Sequence, residues 1–467
     1  MRIIIDKRPF IYLLVARYYK FFLLLLLSSL FLIALTMKPE GITIEGYRIS
    51  VIFIFTAILW ATNLIPPAIT SLLVLFLIPA LSIMPAKKTF AFFGNEPLFF
   101  ILSAFIISVA TEKSGLAKRI TLNILSKRTT SPVKLSFSIF YIGLIMSFFM
   151  PEHAVVALLL PLVSNIADLL KIEKKRSIFG KLLFLSLAYG TIIGGIATFL
   201  GGARNALAVG LLEEITGNRI SFFEWLRFSL PIVLLLQLVC PILLKLLFKP
   251  EKIELDIVSK NLKRELEMLP PFTYKEVATF IIIAITIAGW LIIGHRGIGL
   301  AGVAIISAVL FFIFGIIEWE DAERGINWSA FLMYGSAITL GTVFAQTDAG
   351  TFLIQKFDIQ NINPVTYLIL AAVTALLLTE FISNATVVAL LLPIFLKTGT
   401  ALKLDPKFIT ASIALMSGLA FMFPIGTPAH FLCYCKGYYT ISDNIKVGAL
   451  LNFLSLLILY LAIKLFW

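Results

Sequence analysis

Long runs of apolar residues, separated by short polar segments, recur along this chain of 467 residues. The runs are continuous rather than alternating, which predicts helices, because in lipid a backbone must pair its polar groups internally and a barrel strand alternates. Runs of about 18 residues or more suffice to cross a hydrocarbon core about 30 Å thick. The pattern predicts an all-α integral membrane protein with about 11 transmembrane helices and two re-entrant hairpins. The predicted apolar segments lie near residues 21–37, 48–65, 67–83, 97–112, 136–165, 182–212, 228–248, 277–294, 298–317, 329–347, 363–396, 408–435 and 445–466.

An internal repeat relates the two halves of the chain. The seven residues 155–161 recur letter for letter at 387–393. Each copy follows a polar tip inside an apolar segment: Pro-Glu-His at 151–153 and Ser-Asn-Ala at 383–385. Proline cannot donate a backbone hydrogen bond, and Ser and Asn favour turns and caps. Each tip therefore predicts a hairpin of two half-helices.

The hairpins are predicted over 136–165 and 363–396, and Lys and Arg concentrate in segments on the side that holds the N-terminus. This bias predicts an inner or plasma membrane protein with a cytoplasmic N-terminus. The bias of Lys and Arg toward one side holds only if the two hairpins enter the membrane from opposite sides, as an inverted-topology repeat requires. The basic, partly apolar segment 112–134 is predicted to be a helix on the membrane surface. The predicted division is an N-terminal segment with the first helix over 1–47, a first repeat over 48–248, a cytoplasmic linker over 249–276 and a second repeat over 277–467.

A second pair of interruptions accompanies the hairpins. Glycines break one apolar helix over 194–205, and Pro424, Gly426 and Pro428 break its counterpart over 421–430. Matching breaks in two halves indicate a transporter's binding site, although small residues also serve helix packing. Half-helix N-termini at such breaks favour an anion, and exposed carbonyl and side-chain oxygens suit a small cation.

The composition excludes other classes of protein. Charged residues make up 14% of the chain, against roughly 25% in a soluble protein. The net charge of +13 is explained by the cytoplasmic excess of basic residues, so no nucleic acid partner is expected. The chain has no Walker A, G-x-S-x-G or H-E-x-x-H motif, which excludes an ATP-driven pump and argues against an enzyme or an organic cofactor. The G-x-G-x-x-G sequence at 297–302 follows no strand and is expected to be a packing face.

The chain resembles the divalent anion:sodium symporter family over about residues 21–467. The stretch from Thr379 to Thr386, with Ser383 and Asn384, is similar to the family's second Ser-Asn-Thr signature, and 424–430 is similar to its second broken helix. The resemblance implies a homodimer in which a part carrying both hairpins moves like an elevator. It also implies a sodium site and a substrate site. The implied sodium ligands are Thr379, Ser383, Asn384 and Gly426, and the implied substrate contacts are Asn384, Thr427 and Pro428.

The first half departs from the family pattern. Glu152 and His153 stand where the family has Ser-Asn-Thr, and Arg204 and Asn205 follow the glycines of the broken helix. Charges at bilayer depth pair with one another or face water. One hypothesis is a Glu152–Arg204 ion pair in place of a sodium ion. Another is that Glu152 or His153 binds and releases a proton, and a structural pair without a role in coupling is the third.

The expected function is secondary transport of a small divalent anion, a dicarboxylate or sulfate, coupled to one Na⁺, to H⁺ or to both. Glu152, His153, Arg204 and Asn205 are further candidate substrate contacts in the first half. His430 replaces the family's asparagine and either donates to the substrate or caps its helix. Two alternatives stay open: a zwitterionic substrate such as an amino acid, held between Glu152 and Arg204, and a passive anion channel.

Overall fold

The structure, a computed structural model, describes residues 10–37, 40–292, 298–356, 362–399 and 402–466. Those residues form helices and connecting loops, with no strand among them, so the predicted all-α class is confirmed. In chain order the helices are α1 (Phe10–Thr36), α2 (Ile44–Thr62), α3 (Pro67–Ala80), α4 (Ala86–Phe93), α5 (Glu96–Lys113), α6 (Leu116–Arg128), α7 (Pro132–Met146), α8 (Glu152–Leu169), α9 (Ile178–Gly195), α10 (Ala203–Thr216), α11 (Phe222–Leu247), α12 (Asp256–Glu267), α13 (Tyr274–Ile292), α14 (Gly299–Ile313), α15 (Trp319–Gly325), α16 (Trp328–Gln346), α17 (Ala349–Lys356), α18 (Pro364–Thr379), α19 (Asn384–Gly399), α20 (Pro406–Ser417), α21 (Pro428–Tyr434) and α22 (Ile441–Phe466).

Nine helical segments of the described chain are long and apolar enough to cross a membrane. Five shorter apolar helices, α3, α7, α14, α18 and α19, accompany them. Several of the long helices turn large apolar side chains outward. On α11, for example, Leu234, Leu235, Leu238 and Ile242 are exposed, as expected for a helix face in contact with lipid. The protein is a multi-pass membrane protein.

The helix bounds differ from the predicted segments at several points. The first helix begins at Phe10 rather than near residue 21, because apolar residues continue upstream between the basic ones. The predicted linker 249–276 contains a helix of its own, α12, and ends within α13. The segment 112–134 holds α6, whose buried face packs against α12. The short helices α4, α15 and α17 were not predicted, since eight residues or fewer carry too little periodicity. Residues 293–297, and with them the first glycine of the G-x-G-x-x-G sequence, lie outside the described residues.

Both predicted hairpins consist of two helices around a break. In the first half α7 and α8 are separated by residues 147–151, and in the second half α18 and α19 are separated by 380–383. Both pairs start in the same way, because Ser131 and Asn363 cap their helices and a proline occupies the first turn. The two broken helices are α9–α10, interrupted over 196–202, and α20–α21, interrupted over 418–427. Re-entrant placement of the hairpins stays a prediction.

Close packing in the first half depends on glycines of α9, a helix buried along nearly its whole length. A Cβ atom on Gly190 would overlap the carbonyl oxygen of Phe140, and one on Gly194 would overlap that of Leu144. Both carbonyls belong to α7. The broken helix and the first hairpin therefore touch backbone to backbone, as small residues permit between membrane helices.

Glu380 connects the two breaks of the second half. It follows the last residue of α18 and is fully buried. Its carboxylate accepts hydrogen bonds from the backbone N–H groups of Phe421, Met422 and Phe423 at 2.8–3.1 Å, and from Asn452 Nδ2 at 2.7 Å. The break of the hairpin thus holds the interruption of the broken helix, and the N–H groups of residues 421–423 are satisfied inside the protein.

Replacing either α9 glycine by alanine should destabilise the fold. We expect Gly190→Ala and Gly194→Ala each to lower the free energy of unfolding by about 1–3 kcal/mol, because α7 and α9 must separate. The measurement is thermal unfolding in detergent. Gly94→Ala is the control, since the nearest atom to a Cβ there is 4.0 Å away. Equal unfolding temperatures for all three variants would contradict the close approach of α7 and α9.

Replacing the Glu380 carboxylate by an amide should also destabilise the fold. Glu380→Gln places an NH₂ group against backbone donors, and we expect a loss of about 1–3 kcal/mol of unfolding free energy. Glu267→Gln, at an exposed position of α12, is the matched control. A Glu380→Gln protein as stable as this control would show that the carboxylate does not hold residues 421–423.

Candidate functional site

One cavity lies where the two hairpins and the two broken helices meet. Its volume is about 230 Å³. Residues of α3 and α5, and residues in or next to α16, complete its wall. The lining residues are Pro67, Phe105, Pro151, Glu152, His153, Gly201, Gly202, Ala203, Arg204, Asn327, Ser329, Ala330, Met333, Tyr334, Ser383, Asn384, Ala385 and Pro428.

Four helix N-termini converge on this cavity. The first residues of α8, α10, α19 and α21 are Glu152, Ala203, Asn384 and Pro428, and all four line it. The two helices of the first half begin without a side-chain cap, because Pro151 and Gly202 occupy the capping positions. The positive ends of the four helix dipoles make the cavity favourable for negative charge.

The first-half wall of the cavity carries a buried ion pair. Arg204 Nη2 lies 3.2 Å from Glu152 Oε2, and each residue is 4% exposed. Three glycines make room for these side chains. A Cβ on Gly202 would come within 2.6 Å of Arg204 Nη1, one on Gly418 would come equally close to Arg204 Nε, and one on Gly195 would meet the Glu152 carboxylate. The backbone of both broken helices therefore encloses the pair.

The second half offers a cluster of oxygen atoms beside the cavity. Thr379 Oγ1 donates to the Ser417 carbonyl at 2.6 Å. One end of the Asn384 amide lies 2.7 Å from Thr379 Oγ1, 3.1 Å from the Ser417 oxygen and 3.0 Å from the Gly426 oxygen. The other end lies 3.3 Å from Arg204 Nη1, so a guanidinium of the first half reaches the tip of the second.

The Asn384 amide satisfies these neighbours in one of two ways. With nitrogen toward the three oxygens, it donates to them, and its oxygen accepts from Arg204. With oxygen toward them, four oxygens face one another around the single hydrogen of the Thr379 hydroxyl, an arrangement that a small cation would stabilise. A cation at this cluster would therefore favour the orientation with the amide oxygen toward the three oxygens.

Several predicted site residues lie away from the cavity wall. Asn205 is fully buried and donates to the carbonyls of Gly195 and Thr198, which holds the break in α9–α10. Thr427 caps α21 by accepting from the backbone N–H of His430. The His430 ring is buried against the ring of Tyr189, with centroids 5.6 Å apart, and does not line the cavity. These contacts give Asn205 and Thr427 positioning roles.

Sequence reasoning missed the cavity wall formed by α16. Asn327, Ser329, Met333 and Tyr334 come from a segment that reads as an ordinary apolar helix. The polar residues Asn327 and Ser329 at the start of this segment were its only sequence signal of a binding site. The Ser417 carbonyl was missed as well, because a backbone oxygen leaves no mark in a sequence.

Comparison with known proteins places the chain in a family. Residues 18–467 match the family model described as the sodium:sulfate symporter transmembrane region. A sodium-dependent dicarboxylate transporter, SdcS, of Staphylococcus saprophyticus is 25% identical, and the match covers 94% of this chain and 90% of that protein. An uncharacterized transporter of Methanocaldococcus jannaschii is 28% identical over 88% of this chain and 91% of that one.

Two solved structures share the fold at low sequence identity. The YdaH transporter of Alcanivorax borkumensis superposes with a TM-score of 0.54 at 14% identity, over 80% of this chain and 87% of that one. MtrF of Neisseria gonorrhoeae gives 0.55 at 13% identity, over 80% and 83%. All of these relatives are transporters rather than enzymes. The chain described here belongs to the sodium:sulfate symporter family, as its hairpin and broken-helix motifs predicted.

Proposed function

We propose that this protein is a secondary transporter that moves a small anion across the membrane together with Na⁺. The observation that carries the proposal is the convergence of four helix N-termini and the Arg204 guanidinium on one cavity. Such a site binds negative charge through backbone donors and a fixed cation. The relative named as a sodium-dependent dicarboxylate transporter supports Na⁺ as the coupling ion.

The proposed sodium site lies in the second half. Thr379 Oγ1, the Asn384 amide oxygen and the Gly426 carbonyl supply oxygen ligands there, and the Ser417 carbonyl adds a fourth. Neutral oxygens at this spacing suit a small hard cation. Ser383, the remaining predicted ligand, shares its hydroxyl with Thr386 at 2.7 Å and would have to release it to join the site.

In the first half the ion pair stands at the position that corresponds to this sodium site. Glu152 begins α8 as Asn384 begins α19, and Arg204 carries a positive charge beside it. We propose that this half binds no second Na⁺, since a guanidinium already occupies the space. A proton on Glu152 or His153 is the variant of this proposal, because both side chains line the cavity.

The relatives and the internal repeat support three further proposals, on the substrate class, the movement that gives alternating access, and the assembly. The predicted substrate class is a dicarboxylate or sulfate. Alternating access would come from movement of the part that carries both hairpins and both broken helices, against the wall formed by α3, α5 and α16. A homodimer is the expected assembly.

Removal of the Thr379 hydroxyl should weaken sodium binding. We expect Thr379→Ala to need about tenfold more Na⁺ for half-maximal thermal stabilisation, a loss of about 1.4 kcal/mol, because one ligand and the hydrogen bond to Ser417 disappear. Thr374→Ala is the matched control, on the same helix with its hydroxyl bonded only to the Leu370 carbonyl. K⁺ in place of Na⁺ should stabilise neither protein, and equal sodium responses of the two variants would refute this site.

Ion gradients test the coupling. Reconstituted protein should accumulate labelled substrate when an inward sodium gradient is imposed alone, because the second-half site takes up Na⁺. Uptake driven by a proton gradient alone would instead support the proton variant at Glu152 or His153. Two Na⁺ ions per cycle would contradict replacement of the first site, and so would normal transport by Glu152→Gln.

A further inference from the structure

The charges that face the cavity can be counted from its lining. Among the described lining residues, the ionisable side chains are Glu152 and His153 of α8, Arg204 of α10 and Tyr334 of α16. Tyr334 is neutral near neutral pH, and so is His153 above its ordinary titration range. Glu152 and Arg204 cancel. The protein alone thus presents a wall with no net charge.

The carboxylate of this pair is held in place. Glu152 is the first residue of α8, and its backbone N–H donates to the Gly201 carbonyl at 3.1 Å. Its side chain lies against Gly195 and Arg204, and only 4% of the residue is exposed. When Glu152 is ionised, as its ion pair with Arg204 favours, its negative charge lies beside any anion that enters. Glu380, a buried acid at the break of the second hairpin, does not line the cavity, and its carboxylate accepts hydrogen bonds from Phe421, Phe423 and Asn452.

The charge balance changes by one when Na⁺ binds in the second half. A neutral wall and one Na⁺ give a site with a net charge of about +1, counted with His153 neutral. Buried charge that has no counter-charge is costly, so the bound anion should cancel this value. A second negative charge would remain uncompensated and would lie beside the Glu152 carboxylate.

We propose that the cavity selects an anion with a single net negative charge. The inference rests on the proposed sodium-coupled function and sharpens its substrate class. A monocarboxylate has this charge, and so does a dicarboxylate that carries one proton. The proposal disfavours a fully ionised dicarboxylate or sulfate.

The same geometry supplies the donors for one carboxylate. When the Asn384 oxygen turns toward Na⁺, its nitrogen faces Arg204 Nη1 at 3.3 Å. Two N–H donors then lie side by side without an acceptor between them, next to the start of α19. A carboxylate oxygen bridging Arg204 and Asn384 satisfies both. Sodium binding thereby prepares the anion site, through an arginine in the first half.

A pair of probes that differ by one charge tests the proposal. Succinate and its monoamide succinamate have the same length, and at about pH 8 they carry two charges and one. We expect succinamate to bind the wild-type protein on the order of tenfold more tightly in sodium buffer, measured by thermal stabilisation over a concentration series.

Glu152→Gln should remove this preference. Loss of the carboxylate raises the net charge of the sodium-bound site to about +2, so succinate should gain on the order of tenfold relative to succinamate. This is a gain of binding, which a damaged fold cannot imitate. Glu267→Gln, outside the cavity, should keep the wild-type preference.

A pH series distinguishes the two anions that carry a single charge, a monoprotonated dicarboxylate and a monocarboxylate. If a monoprotonated dicarboxylate is bound, succinate affinity should rise as the pH falls toward about 6, in step with the monoprotonated fraction, while succinamate affinity stays constant. If only monocarboxylates fit, succinate should stay weak. His153→Gln should keep the pH dependence of succinate affinity, whatever its effect on the affinity itself, because a rise that disappears in this variant means a dianion and a protonated histidine.

The outcomes distinguish this inference from the proposed function. Succinate preferred by the wild-type protein at about pH 8, with no shift in Glu152→Gln, would overturn the single-charge selectivity and leave sodium-coupled anion transport intact. Absence of sodium-dependent stabilisation by succinamate, succinate and sulfate alike would remove the proposed function itself.

Discussion

The structure depends on how it satisfies backbone groups where its membrane helices are interrupted. Lipid offers no hydrogen bonds, so each break must find partners inside the protein. In the second half the Glu380 carboxylate receives the N–H groups of 421–423. In the first half Thr198 donates to the Phe148 carbonyl at 2.6 Å, and Asn205 bonds two carbonyls of its own break. These bonds tie each hairpin to a broken helix and hold four N-termini around one cavity.

The buried Glu152–Arg204 pair gives this protein its distinctive electrostatics. Removing either partner would leave an uncompensated charge at low dielectric, so the two side chains act as a unit. The pair also connects the halves, because Arg204 reaches the Asn384 amide as well as Glu152. A cation bound at the proposed site of the second half would compete with the Arg204 guanidinium for the oxygen atom of that amide.

Much of the architecture could be predicted because it depends on local sequence. Apolar runs predict membrane helices by their own transfer energy, and the repeat at 155–161 and 387–393 marks two corresponding breaks. The pairing of Glu152 with Arg204 could be predicted from a general rule, because charged side chains at bilayer depth form ion pairs. Short helices such as α4 and α17 escaped prediction, since their positions are set by the helices on either side.

The sequence by itself determined the membrane class, the helical content, the repeat and the family, because hydropathy, helix breakers and motifs act over a few neighbouring residues. Only the tertiary structure decided which side chains meet the cavity. Thr427 and Asn205 serve the backbone of their own breaks, His430 packs against aromatic rings, and Tyr334 arrives from a helix far away in the chain. Helix rotation and the hydrogen bonds that each break requires set those directions, and both depend on contacts between the two halves.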